Sequence, residues 1–456
     1  MCTARPEPIP NARQKAFVGH SAPWVSPARP FLKMGDGAST PVPSRVPAGI
    51  PGSGRRPARD CGKTIIGIDW GTQSEEAEAR SKERREEETV KKVRLILVGG
   101  FLGSGKTTLL FRAAQKLVTR GKRVGLVTND QAPGSVDTRL LAQHGLDVRE
   151  VGGKCFCCDF PALLRNAGKL RKEGKTDVIL LEPVGSCTDL SATVLQPLKD
   201  HFRQEFVPSP LSVLVDPYRL RQVLSGKRRT AGRGPNYIFR KQLEEADRIL
   251  IAKADLLDRD ERKELRRLVS GAFPGVPVRT ISAVTGAGIS AWLDEALTGT
   301  PGGNRIAEVD YDVYAEGEAA LGWLNADLSL ATRGCCIPDW RVLCLFVMRE
   351  MKQAFTKRRA AVGHVKTLLT ANGRFCAGNL TRLGGPIDLR GDLDGDATRV
   401  RMTINARVEM APKELKEIVL KALESVIGGH LRVTVHNLRA FRPARPRPLH
   451  RYAETV

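Results

Sequence analysis

The sequence predicts an α/β domain built on a mostly parallel sheet, followed by a smaller α+β domain. Three observations carry this. Val93–Val98 is a short apolar run that reads as a buried strand, and it leads through Gly100-Phe-Leu-Gly-Ser-Gly-Lys-Thr107 into a helical pattern. From Val93 onward, apolar runs of strand length alternate with stretches of helix length. After residues 300–304, TPGGN, the pattern changes and a Pro-Gly break marks a domain boundary.

Residues 1–92 come first. Up to about residue 60 the chain is rich in Pro, Gly, Ser and Arg, with only Glu7, Asp36 and Asp60 as acids. Such a composition cannot bury a core, so a disordered extension is expected. Ser74–Lys92 is a mixed-charge run that reads as a solvated helix or linker. The chain of 456 residues carries 73 Lys and Arg against 50 Asp and Glu, a net charge of +23. Much of that excess lies at the two ends and in Gly226–Gly234, GKRRTAGRG, which reads as a solvated loop. With little aromatic interleaving, a nucleic-acid partner is not expected. No apolar run approaches the ~20 residues of a membrane span, and the N-terminus has no continuous apolar leader core. Ten unevenly spaced cysteines suggest a reducing compartment, here the cytoplasm, and not a disulfide framework.

In the α/β domain, strands are expected at Val93–Val98, Arg123–Thr128, Leu146–Val151, Asp177–Glu182, Leu211–Val215, Arg248–Ala252 and Val278–Ser282. Helices are expected at Lys106–Thr119, Pro161–Lys172, Leu190–His201 and Asp260–Gly271. Ligands of open α/β sheets sit at the carboxyl ends of the strands, where the motifs should converge. The second domain, residues 305–438, reads as a helix over Arg341–Val362, strands at His364–Thr370, Arg374–Thr381 and Thr398–Val408, a helix over Pro412–Val426, and a strand at Leu431–His436. A basic flexible tail is expected over 439–456.

The chemistry begins at the glycine loop. Its G-x-x-x-x-G-K-T pattern lets backbone N–H groups converge on phosphates at a helix N-terminus. Gly100, Gly103, Ser104, Gly105, Lys106, Thr107 and Thr108 form this candidate nucleotide site. Lys106 supplies a charge to the β- and γ-phosphates, and the Thr107 hydroxyl suits Mg²⁺. Asp177–Gly185, DVILLEPVG, ends a buried strand in Glu182, which could hold the Mg²⁺ shell or orient the attacking water. Val127–Asp137, VTNDQAPGSVD, reads as a switch loop whose Asp130 and Asp137 are both candidates to reach Mg²⁺. Ile249–Asp255, ILIAKAD, resembles the end of a base-reading N-K-x-D motif with Ala252 in place of Asn. Lys253 and Asp255 belong to it. Asp255 can accept from guanine N1–H and N2–H₂, whereas adenine would leave it unpaired, so GTP is favoured. Ser282 and Ala283 stand where a further loop contacts the base.

Gly152–Cys158, GGKCFCC, is the other distinctive stretch. Cys155, Cys157 and Cys158 offer three thiolates within four residues, enough for one Zn²⁺ or Co²⁺ at ~2.3 Å per bond with a fourth position open. Cys187 is a candidate fourth ligand; a water, a partner's side chain or the switch loop are others. An open site suits transfer, while a structural metal or redox thiols are the alternatives. Cys335, Cys336, Cys344 and Cys376 read as structural thiols.

GGFLGSGKTTLL, VTNDQAPGSVD, GGKCFCC, EPVG, AKAD and SAVTGAGI occur in the order seen in the CobW/HypB/UreG family of P-loop GTPases, and the chain resembles its CobW-like branch over about residues 93–298. The resemblance implies a slow GTPase metallochaperone, with GTP and Mg²⁺ at the loop, Zn²⁺ or Co²⁺ at the cysteines, and delivery to a client apo-metalloenzyme. It implies that Lys106 and Thr107 hold phosphate and Mg²⁺, with Glu182 near the Mg²⁺. A homodimer is among the assemblies left open. Lys154 departs from the Gly that commonly precedes the first cysteine, Ala252 from the base-contacting Asn, and no His-rich segment is present. Two other readings compete: a metal-buffering or regulatory nucleotide-binding protein with little turnover, and a basic RNA-associated P-loop protein.

Overall fold

The computed structural model describes residues 91–131, 135–224, 233–334, 337–393 and 397–456. The expected N-terminal extension to residue 90, the centre of the switch loop, most of the basic loop, and Cys335 and Cys336 lie outside the described residues.

β1 (Val93–Gly99) is buried at nearly every position, as a central parallel strand must be. The loop after it turns through Gly100, Gly103 and Gly105, all at positive φ. A Cβ on Gly100 would lie 2.2 Å from the Leu214 carbonyl oxygen, so no other residue fits there. α1 (Lys106–Thr119) then buries Leu109, Leu110, Ala113, Ala114 and Leu117, the face its periodicity predicts. The remaining strands of the first sheet are β2 (Val124–Asp130), β3 (Asp147–Gly152), β4 (Val178–Glu182), β5 (Phe206–Pro208), β6 (Ser212–Val215), β7 (Arg248–Ile251) and β8 (Val278–Thr280). Their order is β3-β2-β4-β1-β6-β7-β8, all parallel, with β5 paired to the start of β1. All seven expected strands form. β5, three residues long, is too short to read from periodicity.

Helices cover both faces: α2 (Val136–Gln143), α3 (Phe160–Glu173), α4 (Gln196–His201), α5 (Pro217–Leu224), α6 (Arg233–Glu244), α7 (Arg259–Ala272) and α8 (Ile289–Thr298). The expected helix over Leu190–His201 is split. Gln196 donates to the Ser191 carbonyl, five residues back, and Pro197 next to it has no N–H to offer, so a π turn over Ser191–Leu195 precedes α4.

The boundary expected at 300–304 does not release the chain. Gly302 donates to the Pro208 carbonyl, and Gly303 and Asn304 donate to the Asp247 carboxylate at 2.6 and 2.8 Å. α9 (Tyr311–Ala319) then packs on α6, where a Cβ on Gly317 would come 2.7 Å from the Gly234 oxygen. The helical layer of the first sheet therefore continues to Ala319.

The second sheet has the order β12-β11-β10-β13-β9-β14 and is antiparallel. Its strands are β9 (Gly322–Thr332), β10 (Val362–Ala371), β11 (Arg374–Leu380), β12 (Asp388–Arg390), β13 (Arg399–Val408) and β14 (Leu431–Phe441). β9, absent from the sequence expectation, is a central strand between β13 and β14. α10 (Trp340–Lys357) and α11 (Pro412–Ile427) cover one face, and with Cys344 and Cys376 they enclose a core of its own. α10 ends five residues before the expected limit, because β10 begins at Val362.

β13 alternates cleanly: Val400, Met402, Ile404, Ala406 and Val408 face that core. Its other face, Thr403, Asn405 and Arg407, is polar and also buried. It packs on the first domain. Residues 442–456, expected as a flexible tail, likewise run against the first domain, where Leu449 donates to the Cys157 carbonyl and Tyr452 to that of Ala192. Among the described residues, no helix is long and apolar enough to cross a membrane.

Candidate functional site

Two clusters form at the carboxyl ends of β1–β4, joined by the switch segment that leaves β2.

At the first, the Thr107 hydroxyl lies 2.8 Å from both Asp137 Oδ1 and Glu182 Oε1. Lys106 is buried and donates to the Gly100 carbonyl at 2.7 Å. Burial lowers the Lys106 pKa, against the pull of Glu182. Burial pushes Glu182 up to about 7, and the negative Asp137 adds to the rise. Burial works against the charge of Asp137 as well, but Lys366 reverses the balance and holds this carboxyl below its ordinary range. Glu182 Oε2 is buried with no hydrogen-bond partner. A hydroxyl and two carboxylates converging beside an unpartnered oxygen form a hard-oxygen donor set that fits Mg²⁺.

Asp130 and Asp137 separate here. Asp137 reaches Thr107. Asp130 instead meets Arg407, at 3.0 and 3.1 Å to its two oxygens, and that guanidinium lies 4.0 Å over the Trp323 ring. α2 begins at Val136 because Ser135 caps it, accepting from Thr138 N–H. This places Asp137 in the first helical turn, where a carboxylate also meets the helix dipole.

Gly185 packs against the phosphate loop. A Cβ there would lie 2.7 Å from Leu102 Cδ2 and 3.0 Å from Leu102 N. Its role in the fold is this close approach.

On the base side, Lys253 donates to the Gly103 carbonyl at 3.2 Å and to Asp216 at 2.7 Å. Ser282 donates to Asp255, and the Ala283 carbonyl accepts from Arg112 of α1. Thr108, Asp255 and Ala283 line the same cleft as the glycine loop. Ser104 is buried within that loop. Asp216 had no motif to announce it.

The second cluster sits at the end of β3. Cys155 Sγ lies 3.0 Å from Cys157 Sγ, which lies 3.7 Å from Cys158 Sγ, and the three sulfurs are all within 4.8 Å of one another. Bonds of ~2.3 Å at a tetrahedral angle separate sulfurs by ~3.8 Å, so the group fits one zinc-like ion after small adjustment. Cys187 is buried nearby and acts on the Cys155 thiol, but it stands outside the group of three whose sulfurs lie within 4.8 Å of one another. The bond from Cys157, helped by those from Cys158 and Cys187, holds the Cys155 pKa well below the ordinary thiol range. The same bonds push Cys157 and Cys187 up, and Cys158 to about 11. Close-packed thiols, one of them with a lowered pKa, form a donor set suited to a soft metal.

Its walls come from three places the sequence did not reveal. Asn129, on β2, donates to the carbonyls of Val151 and Lys154 at 2.7 Å each and accepts from Phe156 N–H at 2.9 Å, fixing the cysteine loop. Glu318 of α9 accepts from Ser186 at 2.5 Å and from Gln131 of the switch at 3.4 Å, while its other oxygen is buried and unpartnered. Burial, and then the charge of Cys155, push Glu318 up to about 8. The tail supplies the third wall: Arg447 N–H donates to Cys158 Sγ at 3.2 Å, and Arg451 bonds the buried Asp189 at 2.8 Å.

Residues 94–314 match the model for the CobW/HypB/UreG nucleotide-binding domain. The zinc chaperone YeiR of Escherichia coli is 33% identical over 180 residues, 38% of this chain and 49% of that one. The zinc chaperone CobW of Pseudomonas aeruginosa is 25% identical over 229 residues, 43% and 58% of the two chains. The zinc-regulated GTPase metalloprotein activator 1 of Dictyostelium discoideum is 24% identical over 212 residues, 40% and 44% of the two. The chain spans about half the length of these curated relatives.

Proposed function

We propose that this chain, whose residues 94–314 match the CobW/HypB/UreG nucleotide-binding domain, is a GTP-hydrolysing metallochaperone. It couples nucleotide state to the holding and release of Zn²⁺ or Co²⁺ for a client apo-metalloenzyme in the cytoplasm. Gly100 to Thr108 cradle the phosphates. Thr107, Asp137 and Glu182 would hold Mg²⁺, which supplies charge neutralisation at the phosphates. Asp255, with Lys253, Ser282 and Ala283, reads guanine. Cys155, Cys157 and Cys158 carry the cargo ion, with Cys187 a candidate fourth ligand.

The observation that carries this reading is Asn129. It lies on the strand that runs into Asp130, Gln131 and the helix bearing Asp137. It also makes three hydrogen bonds to the cysteine loop. A shift of the switch towards bound GTP must move Asn129 or break these bonds. Either event changes the spacing of the thiols, which makes metal affinity depend on the γ-phosphate.

A Co²⁺ titration of the reduced protein, with and without Mg²⁺ and GTP, tests it. The expected result is a thiolate-to-cobalt band that is lost in Cys155→Ala and whose midpoint moves with GTP. A band indifferent to GTP would make the protein a metal buffer, and no band would remove the cargo site.

A further inference from the structure

We propose that the second sheet supplies a catalytic-site cation, Lys366, that contacts the γ-phosphate of GTP. The inference rests on the nucleotide reading above and adds a group that lies outside its motifs.

The second sheet lies directly on the phosphate loop. A Cβ on Gly103 would come 3.1 Å from Thr381 and 3.3 Å from the Gly363 carbonyl oxygen, and one on Gly363 would come 3.0 Å from Leu102 Cδ1. The lack of room for a Cβ at either glycine shows how closely β10 lies over the loop. Three residues along, Lys366 projects into the cleft that Gly105, Lys106 and Thr107 line. Its ammonium lies 2.6 and 2.7 Å from the two oxygens of Asp137. The nearer of these oxygens also accepts from the Thr107 hydroxyl at 2.8 Å. Lys366 is thus one carboxylate away from the Mg²⁺-type hydroxyl, and close enough to Lys106 that the two ammonium groups repel.

Arrival of the nucleotide changes this balance of charge. In this structure Asp137 has a cation on both oxygens, and the Lys366 side chain is only 19% exposed. Were Asp137 to engage a bound Mg²⁺, the ammonium would lose its partner. A mostly buried, unpaired charge is costly, so Lys366 must find another anion. The γ-phosphate oxygens are an anion within reach, since Glu182, the other carboxylate near Lys366, would itself hold Mg²⁺. Lys366 then exchanges a carboxylate for the terminal phosphate, and it stabilises the charge that spreads over the phosphoryl oxygens during transfer. GDP has no γ-phosphate to offer, so Lys366 returns to Asp137 after hydrolysis. The exchange gives the second sheet a part in the cycle.

The test compares a non-hydrolysable GTP analogue with GDP, using Lys366→Gln and Lys366→Arg in the full chain. Hydrogen bonds to charged groups are worth ~1.5–3 kcal/mol, about 10- to 100-fold in affinity. Lys366→Gln is expected to lose that factor for the GTP analogue while GDP affinity stays within about threefold; Lys366→Arg, which keeps the charge, is expected to retain most of the discrimination. Single-turnover hydrolysis should fall in the Gln variant as well. Equal losses for the two nucleotides would make Lys366 a structural partner of Asp137 and overturn the proposal, as would no change for either. If the unaltered protein binds neither nucleotide, the underlying GTP reading falls and this inference with it.

Discussion

The glycine-loop cleft and the cysteine centre share one segment, and they are built in opposite ways. The cleft is a set of hard charges held apart by pairing. Lys106, Lys366, Asp137 and Glu182 alternate around Thr107, and three of the four come from outside the glycine loop. The cysteine centre is soft and close-packed. Its thiols pair with one another, and the tail and α9 enclose it. Asn129, Asp130, Gln131 and Asp137, close together in the chain, serve both. Asn129 holds the cysteine loop, Asp130 binds the second sheet, Gln131 touches Glu318, and Asp137 bonds Thr107. Neither centre therefore has to transmit a signal far. The same short segment provides a wall of each.

The largest expected effects come from separating the two. Lys106→Ala should weaken GTP binding by about 100-fold, since a buried phosphate contact is removed, yet leave the Co²⁺ band of the nucleotide-free protein within about twofold. Cys155→Ala should do the reverse, and a fluorescent-nucleotide titration beside a Co²⁺ titration reads both. If either substitution disables both sites in the absence of the other ligand, the two centres are not separate.

Enclosure is the next contrast. Arg451→Ala leaves the carboxylate of Asp189, itself 1% exposed, without its cation. The Arg is partly solvated, so the cost is about 2 kcal/mol, below that of a fully buried pair. The tail should loosen, and Cys158 should react faster with a maleimide while nucleotide affinity holds. An unchanged rate would mean the tail does not shield the thiols.

Gly185→Ala sharpens the cleft side. Its Cβ would meet the Leu102 backbone at 3.0 Å, an overpacking worth about 1–3 kcal/mol. A lower thermal midpoint together with weaker GTP binding is expected, because the displaced atoms belong to the phosphate loop.

A smaller, pH-dependent effect lies behind the cysteine centre. Glu245 is fully buried and accepts from Ser191 N–H and the Thr188 hydroxyl. Burial pushes it up to about 8. In the unfolded chain it ionises near pH 4.3. Between these values the unfolded chain holds one proton fewer than the folded one. Stability therefore falls as pH rises, by ~1.4 kcal/mol per unit from this group, and levels off above about pH 8. Urea midpoints at pH 6 and 7 should show that fall, and Glu245→Gln should remove this part of it.

The same contrast separates what the residues reveal from what they hide. The parallel sheet is legible because buried strands are continuous apolar runs, and the glycine loop because its chemistry is local in sequence. The cysteines are legible for the same reason. Lys366, Arg407 and Asn405 are not. On β10 and β13 they sit on the polar side of alternating strands, and such a pattern ordinarily marks a solvated face. Here that face is covered by the switch, with Val136 N–H donating to Asn405 and Arg139 bonding Asp327. Asn129 is equally silent in sequence, since its three partners lie over twenty residues away. β9 does carry a strand's alternation, Leu324, Ala326, Leu328 and Leu330 on the core side against Asn325, Asp327 and Ser329, and is absent from the expectation without a physical reason. The tail escapes because Arg- and Pro-rich composition resembles a free end although Asp189 and the cysteine loop hold it.

If one segment couples the two centres, thermodynamic reciprocity must hold between their ligands. GTP affinity is measured with and without saturating Zn²⁺, and Zn²⁺ affinity with and without GTP, in the unaltered protein and in Asn129→Ala. The same factor is expected in both directions, about 5- to 150-fold if the coupling is of ordinary size, and a factor near one in Asn129→Ala with both ligands still bound. Affinities in the unaltered protein that ignore the other ligand would contradict the coupling.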